Sequence, residues 1–238
     1  MEITVFKSAR NTKNDNMEVT WDSLCDFMEE WTRVACHRSD KLNHHAMIFG
    51  RCCGPRNKSN IQFLSGLCAD FDLGPADPRY VPFDDICDIL DEMGFAYIAY
   101  TTTKSETAHN KFRLILPYAR DIPVQFCAAA WHRCNEILGG GIDASTKDEA
   151  RLSFLPADWQ GNIFHDRDNL IQMVNPFVAF RCNRNGNPIL TDADITGLAT
   201  MAVPAKVKTK NWNHAGLLPI LSGAQSAQLA HNQKRNGA

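Results

Sequence analysis

The sequence predicts an α+β fold in which an N-terminal α/β part packs on a βαββαβ unit. Three observations carry that expectation. An apolar strand ends in two aspartates, Leu67-Cys68-Ala69-Asp70-Phe71-Asp72; amphipathic helical stretches begin at Pro82 and Pro123; and a basic strand alternates with apolar residues along His109-Asn110-Lys111-Phe112-Arg113-Leu114-Ile115-Leu116-Pro117. At 238 residues and 44% hydrophobic content, the chain can bury a sizeable core in one large domain or two small ones.

Residues 1–66 are expected to form the N-terminal α/β part. A short strand at Ile3–Phe6 precedes a polar loop. Thr20 can then cap a helix, because its hydroxyl accepts from the free amides of a first turn, and Trp21, Leu24, Cys25, Met28 and Trp31 fall on one stripe. Apolar stretches follow at Ala46–Phe49 and Ile61–Leu64, and Gly66 leads to the aspartate strand.

Residues 67–178 are expected to form the βαββαβ unit. After the strand Leu67–Asp72, a helix begins near Pro82. Asp84 and Asp85 occupy the first turn, where the helix dipole favours anions, while Phe83, Ile86, Leu90 and Met93 supply a buried stripe and Gly94 a stop. The strands Phe95–Thr102 and Lys111–Leu116 come next. A second helix starts at Pro123 with Phe126, Ala129, Ala130, Cys134, Ile137 and Leu138; it stops at Gly139-Gly140-Gly141, before a last strand Arg151–Leu155.

In the split βαβ topology this order implies, two helices cover one face of the sheet and the first and third strands lie side by side. Side chains alternate along a strand, so Asp70 and Asp72 share a face roughly 6–7 Å apart, as do His109, Lys111 and Arg113 on theirs. Phe71, Phe112, Leu114 and Leu116 then face the helices. The two polar sets meet on the opposite face, which is expected to be open.

Those residue types suit a phosphate and metal site. Two unpaired anions so close repel, and hard divalent cations are their usual partners. Asp143, just past the glycine stop, can supply a third carboxylate; three acidic ligands can hold two Mg²⁺ or Mn²⁺ ions for an in-line phosphoryl transfer. Arg113 can fork onto phosphate oxygens, Lys111 adds a point charge, His109 a donor, and Arg151, with Ser153 on its face, a further contact. Each piece also has a plainer reading. Aspartates often end strands, Lys111 and Arg113 can be solvent charges on an edge strand, and Asp143 can cap the turn Ala144–Lys147.

The order Asp70-x-Asp72, then His109-x-Lys111-x-Arg113-Leu-Ile-Leu-Pro, then Asp143-Ala-Ser with Arg151-Leu-Ser-Phe-Leu-Pro, resembles the archaeo-eukaryotic primase superfamily, in particular the primase domains of bacterial plasmid and phage replication proteins. The resemblance spans about residues 3–180. It implies an N-terminal α/β unit on an RRM-like unit, forming a primase-polymerase catalytic core that joins nucleoside triphosphates on single-stranded DNA with two divalent metals. It further implies Asp70, Asp72 and Asp143 as catalytic metal ligands and His109 as nucleotide-binding. Lys111 and Arg113 extend that set through the strand geometry. Residues 181–238 are too short and too poor in large apolar residues for a helicase, so a replicative helicase would act in trans.

Three other classes compete. A non-catalytic replication initiator would bind DNA through an RRM-like sheet, but such platforms stack bases on exposed aromatics and the phenylalanines here point inward. A rolling-circle nicking enzyme needs alternating histidines, whereas His44 and His45 are adjacent. A nuclease could use three aspartates and two metals, and only the basic strand disfavours it.

Formal net charge is −2, but after Asp194 the only charged residues are Lys206, Lys208, Lys210, Lys234 and Arg235. That tail, residues 181–238, reads as a basic linker or a non-specific nucleic-acid contact, with a short helix conceivable near Ala215–Leu221. The N-terminus lacks a secretory pattern and no run reaches membrane-spanning length, so a cytoplasmic protein without membrane contact is expected. Nine cysteines, an odd number, read as reduced thiols. Cys36, His37, His44, His45, Cys52 and Cys53 offer zinc ligands, yet no CxxC pair sets their geometry, so zinc is open but not favoured.

Overall fold

Two periodicities in the sequence, of two and of about 3.6 residues, become sheets and helices in a computed structural model. It describes residues 1–106, 110–161, 163–164, 171–172 and 179–200. His109, the basic residues from Lys206 onward and the short helix considered near Ala215–Leu221 lie outside the described residues. Met1–Met201 form one compact unit.

Strand β1 (Glu2–Phe6) pairs antiparallel with β2 (Asn14–Glu18). The sequence suggested a loop at β2, because its residues are polar and mostly exposed and carry no alternation. Helix α1 (Trp21–Trp31) opens on Thr20, which accepts from the Ser23 amide while Ser23 bonds back to the Thr20 amide, a reciprocal cap. Leu24, Cys25 and Met28 are its buried residues. Then come β3 (Ala35–His37), a 3-10 turn at Arg38–Asn43, β4 (Ala46–Ile48) and β5 (Gly50–Cys52).

The aspartate strand is longer than its apolar pattern suggested. Strand β6 runs Ile61–Phe71 straight through Gly66. A Cβ at Gly66 would collide with the Phe49 ring and the Leu116 carbonyl, so this glycine permits a close approach inside a strand rather than ending one. Helix α2 (Phe83–Glu92) and strand β7 (Tyr97–Thr101) follow where expected, whereas β8 (Phe112–Pro123) runs on past Leu116 to take in Pro123, and helix α3 (Cys127–Ile137) starts after a 3-10 turn at Val124–Phe126 rather than at Pro123. Positive φ at Gly94 (70°) and Gly139 (75°) ends each helix. Met93, counted into the α2 stripe, is 41% exposed. The remaining elements are β9 (Ser153–Phe154), β10 (Asp158–Gln160), β11 (Ile163–Phe164), β12 (Ile171–Gln172), β13 (Phe180–Asn183) and α4 (Asp192–Gly197).

The mixed α/β architecture rests on antiparallel sheets. A five-stranded sheet has the order β13-β7-β8-β6-β5, and a four-stranded sheet the order β2-β1-β4-β9. Strands β6 and β8 are neighbours, as the split βαβ order requires, with Asp70 opposite Arg113. The last strand departs from expectation. Only Ser153–Phe154 forms a strand, and it pairs with β4 in the other sheet. Its place beside β6 is taken by β5, which reaches Ile61–Leu64 through a short connection and so closes a small loop at low entropic cost. Strand β13 extends the opposite edge, so residues beyond 178 help build the central sheet.

The face expected to be open is covered. On the helix side, Leu67, Ala69, Phe71, Phe112, Leu114 and Leu116 pack with residues of α2 and α3, as the alternation implied. On the other side, Ile98, Tyr100 and Ile115 bury against Ile3, Leu24, Met28 and Met47. The physical reason was visible in the runs Tyr97–Tyr100 and Leu114–Leu116, which are apolar at every position and therefore belong to strands buried on both faces.

Candidate functional site

Within this two-sided core, one charged pair interrupts the apolar side chains beneath the N-terminal layer. Strand β6 presents Cys68 and then Asp70 on that face, and β8 presents Arg113 directly opposite Asp70, with Tyr100 of β7 on its other flank. Asp70 is 7% and Arg113 5% exposed. Arg113 Nε donates to Asp70 Oδ1 at 2.5 Å, and Nη1 donates to the Phe154 carbonyl at 2.9 Å and to the Tyr100 hydroxyl at 3.5 Å. The Tyr100 hydroxyl in turn donates to the Phe154 carbonyl at 2.8 Å. Strand β9, displaced into the other sheet, thus supplies the acceptor that closes this network.

Electrostatics follow from that enclosure. Burial works against ionising Asp70, but the Arg113 charge and hydrogen bond, then the charges of Arg151 and Lys41, outweigh it and hold the carboxyl below its ordinary value. Burial likewise opposes the Arg113 charge, and Asp70 and Tyr100 reverse it, so the guanidinium stays protonated. Burial pushes the Tyr100 hydroxyl up, against the opposing pull of Arg113.

The other sequence candidates surround the pair at differing depth. Asp143 is brought to β6 by the backbone, its amide donating to the Asp70 carbonyl at 2.9 Å. Its own carboxylate accepts from the Ser145 amide (2.9 Å) and hydroxyl (2.7 Å), capping the 3-10 turn Ala144–Lys147. Asp72 lies one residue beyond β6 and is exposed. Lys111 is half-buried just before β8, its carbonyl accepting from the Thr102 amide at 2.8 Å. Arg151 is exposed, and Ser153 is buried close to the Cys68 thiol.

A pair of divalent ions needs carboxylates turned toward a common point. Among the described residues, no group of three or more His, Cys, Asp or Glu side chains is placed to hold a metal ion. Asp70 is committed to Arg113 and Asp143 to its own turn, so the donor set is present in kind but not assembled. The zinc candidates are dispersed as well. His44 is buried edge-on to Trp31 and Trp159, at centroid distances of 5.3 and 5.1 Å, and burial pulls its pKa down. His37 Nδ1 caps the 3-10 turn by accepting from the Ser39 amide, while Cys52 is buried and Cys53 exposed.

One residue was not singled out from the sequence. Lys41, in the turn Arg38–Asn43, feels Arg113, Asp70, Lys104 and Asp72, and burial pushes its pKa down ahead of all of these. A six-residue 3-10 turn has no hydrophobic period to mark it. The only local signal was the spacing of Arg38 and Lys41, since side chains three apart stack along one side of such a turn.

No family model matches the chain, and no curated protein is similar to it in sequence. A solved structure to which the chain is similar is the AEP domain of the cyanophage S-2L primase-polymerase (PrimPol). It has a TM-score of 0.38 and 11% identity, covering 84% of this chain and 86% of that one.

Proposed function

We propose that this chain is a primase-type nucleotidyltransferase of a plasmid or phage replication system, joining nucleoside triphosphates on a single-stranded DNA template. The observation that carries the reading is the Asp70–Arg113 pair, enclosed beneath the N-terminal layer and ringed by Lys41, Arg151 and Asp143. A buried ion pair is weak evidence of a stability device, because taking both charges out of water offsets most of their attraction. Its retention in an otherwise apolar sheet fits a site whose charges are used. The motif resemblance points the same way. In this reading Lys111 and Arg151 draw in the phosphates, His109 contacts the nucleotide, and Arg113 fixes the orientation of Asp70. Among the described residues the carboxylates are not arranged as a metal-ligand set.

A direct test is incubation with a single-stranded template, labelled nucleotides and Mg²⁺ or Mn²⁺. Template-dependent products are expected, and Asp72→Ala should abolish them with the melting temperature unchanged, because Asp72 is exposed. No products from the wild type, or undiminished products from Asp72→Ala, would overturn the reading.

The commitment of Asp70 and Asp143 to protein partners favours a second reading, a non-catalytic replication initiator. A sheet platform does not serve it, since residues on both faces of the central strands are buried; binding would use the charged rim instead. Tight template binding indifferent to chelator and nucleotide, with no product formed, selects it.

A further inference from the structure

Helix α1 and strand β13, far apart in the chain, are fastened to each other at several points. The Trp21 indole N–H donates to the Asn183 carbonyl at 3.2 Å, across 162 residues of sequence. Arg184, just past β13, donates through Nη1 to the Asp22 carbonyl at 3.2 Å, and its Nη2 pairs with Asp26 Oδ1 at 2.7 Å. Beside these clasps Cys25 of α1 and Cys182 of β13 meet as hydrogen-bonded thiols, packed in one apolar cluster with Ile3, Leu24 and Met28.

No other thiols are so placed among the described residues. Cys134 bonds with the Tyr118 hydroxyl, Cys87 with that of Tyr97, and Cys127 points at the Ile122 and Pro123 carbonyls. Cys52 and Cys53 are adjacent in the chain, one buried and the other exposed. Of the α1–β13 pair, Cys25 is sealed from solvent, whereas Cys182 is half-buried on the edge strand of the sheet, within reach of a small reagent. The Arg184 guanidinium lies close enough to act on both, and a neighbouring cation favours the thiolate, which is the attacking form. Burial, and after it the Cys182 sulfur, push the Cys25 thiol up to about 12, so Cys182 attacks first.

We infer that Cys25 and Cys182 are a reversible modification site that closes to a disulfide by exchange with a small-molecule disulfide. The Cys182 thiolate attacks one sulfur of the small disulfide and expels the other as a thiolate, which takes up the proton that Cys182 gave up. Cys25 then gives up its proton and attacks the Cys182 sulfur. The Cys25–Cys182 bond forms, the mixed disulfide breaks, and the second small thiolate leaves and is protonated. Two protein thiols are thereby oxidised, and their two electrons reduce the small disulfide to two thiols. In a reducing compartment the pair stays open, so closure reports oxidation. The bond fastens α1, and with it the layer that covers Asp70 and Arg113, to the edge of the central sheet. The thiol pair serves this exchange whatever reaction the chain performs.

The test equilibrates the whole protein in mixtures of reduced and oxidised glutathione, alkylates the remaining thiols and maps disulfides by mass spectrometry without reduction. The wild type should yield a peptide pair joining Cys25 to Cys182. Native protein should reach half-closure in a buffer at least about tenfold more reducing than the urea-unfolded chain needs, because the fold holds the two sulfurs together. The closed form should melt about 5–10 °C above the reduced one. Cys25→Ala should instead keep one glutathione on Cys182. Cys182→Ser, changed only at a half-buried position, should melt like the reduced wild type and leave Cys25 unmodified. Absence of the Cys25–Cys182 peptide, half-closure of native and unfolded chains in the same buffer, a bond joining two chains instead of one, or a closed form that melts no higher overturns the inference.

Discussion

The two faces of the five-stranded sheet are made from alternate residues of the same strands, yet they are built on different terms. Beneath α2 and α3, the inward residues of β6 and β8 are apolar from Leu67 to Phe71 and from Phe112 to Leu116. Beneath the N-terminal layer the same strands offer Ile115 and Cys68 but also Asp70 and Arg113, hydrogen-bonded into a network with Tyr100 and the Phe154 carbonyl. Apolar burial stabilises in proportion to area and tolerates imprecision, whereas a buried charge is tolerable only while every partner stays in place. The first face holds the fold together. The second carries a liability at the one point where the N-terminal layer, the sheet and strand β9 converge.

Breaking the pair from one side should give the largest loss. Asp70→Ala strands a buried guanidinium and is expected to destabilise by about 3–5 kcal/mol, read from urea unfolding. Leu114→Ala on the helix face opens a cavity at a fully buried site and should cost about 3 kcal/mol, leaving the charged network untouched. Acid should separate the faces as well. The Asp70 carboxyl is held below its ordinary value of 3.8, so its contribution is complete above that value and is lost as pH falls through the lower folded-state value. A melting series from pH 7 to pH 2 should show that loss in Leu114→Ala but not in a protein lacking the pair, at about 1.4 kcal/mol per unit of depression.

Thr20→Ala tests the layer that covers the charged face. Losing the reciprocal cap of α1 should cost about 1 kcal/mol, and a fall several times larger would mean that the cap governs docking of the whole layer. The smallest change in stability is expected from Asp70→Leu combined with Arg113→Leu. Tyr100 still satisfies the Phe154 carbonyl, and apolar replacement of a buried pair is often neutral or better. If the pair serves chemistry, that double variant should fold normally and yield no primer; normal yield would make the pair a structural feature alone.

Much of this architecture could be read one segment at a time. The Thr20 cap, the stripe Leu24, Cys25 and Met28, the glycine stops at Gly94 and Gly139, and the alternation that sends Phe71 and Phe112 toward the helices each depend on neighbours within a few residues. Gly66 misled because a glycine that permits close approach and one that ends a strand look alike in sequence. The candidate site was legible as residue types and partly as positions. The pairing of Asp70 with Arg113 followed from topology, but their enclosure did not, although the unbroken apolar runs of β7 and β8 carried that information.

The amino-acid order alone determined α1 and α2, the glycine stops after α2 and α3, and that Phe71, Phe112, Leu114 and Leu116 face the helices, because short-range sterics, capping and hydrophobic period decide those. Only the tertiary structure decided that β5 rather than β9 lies beside β6, that a second layer closes over Asp70 and Arg113, and that Cys25 meets Cys182. These depend on which distant segments win the same strand edge and the same apolar surface. That competition is settled by loop closure and buried area summed over the whole chain, and no local stretch encodes its outcome.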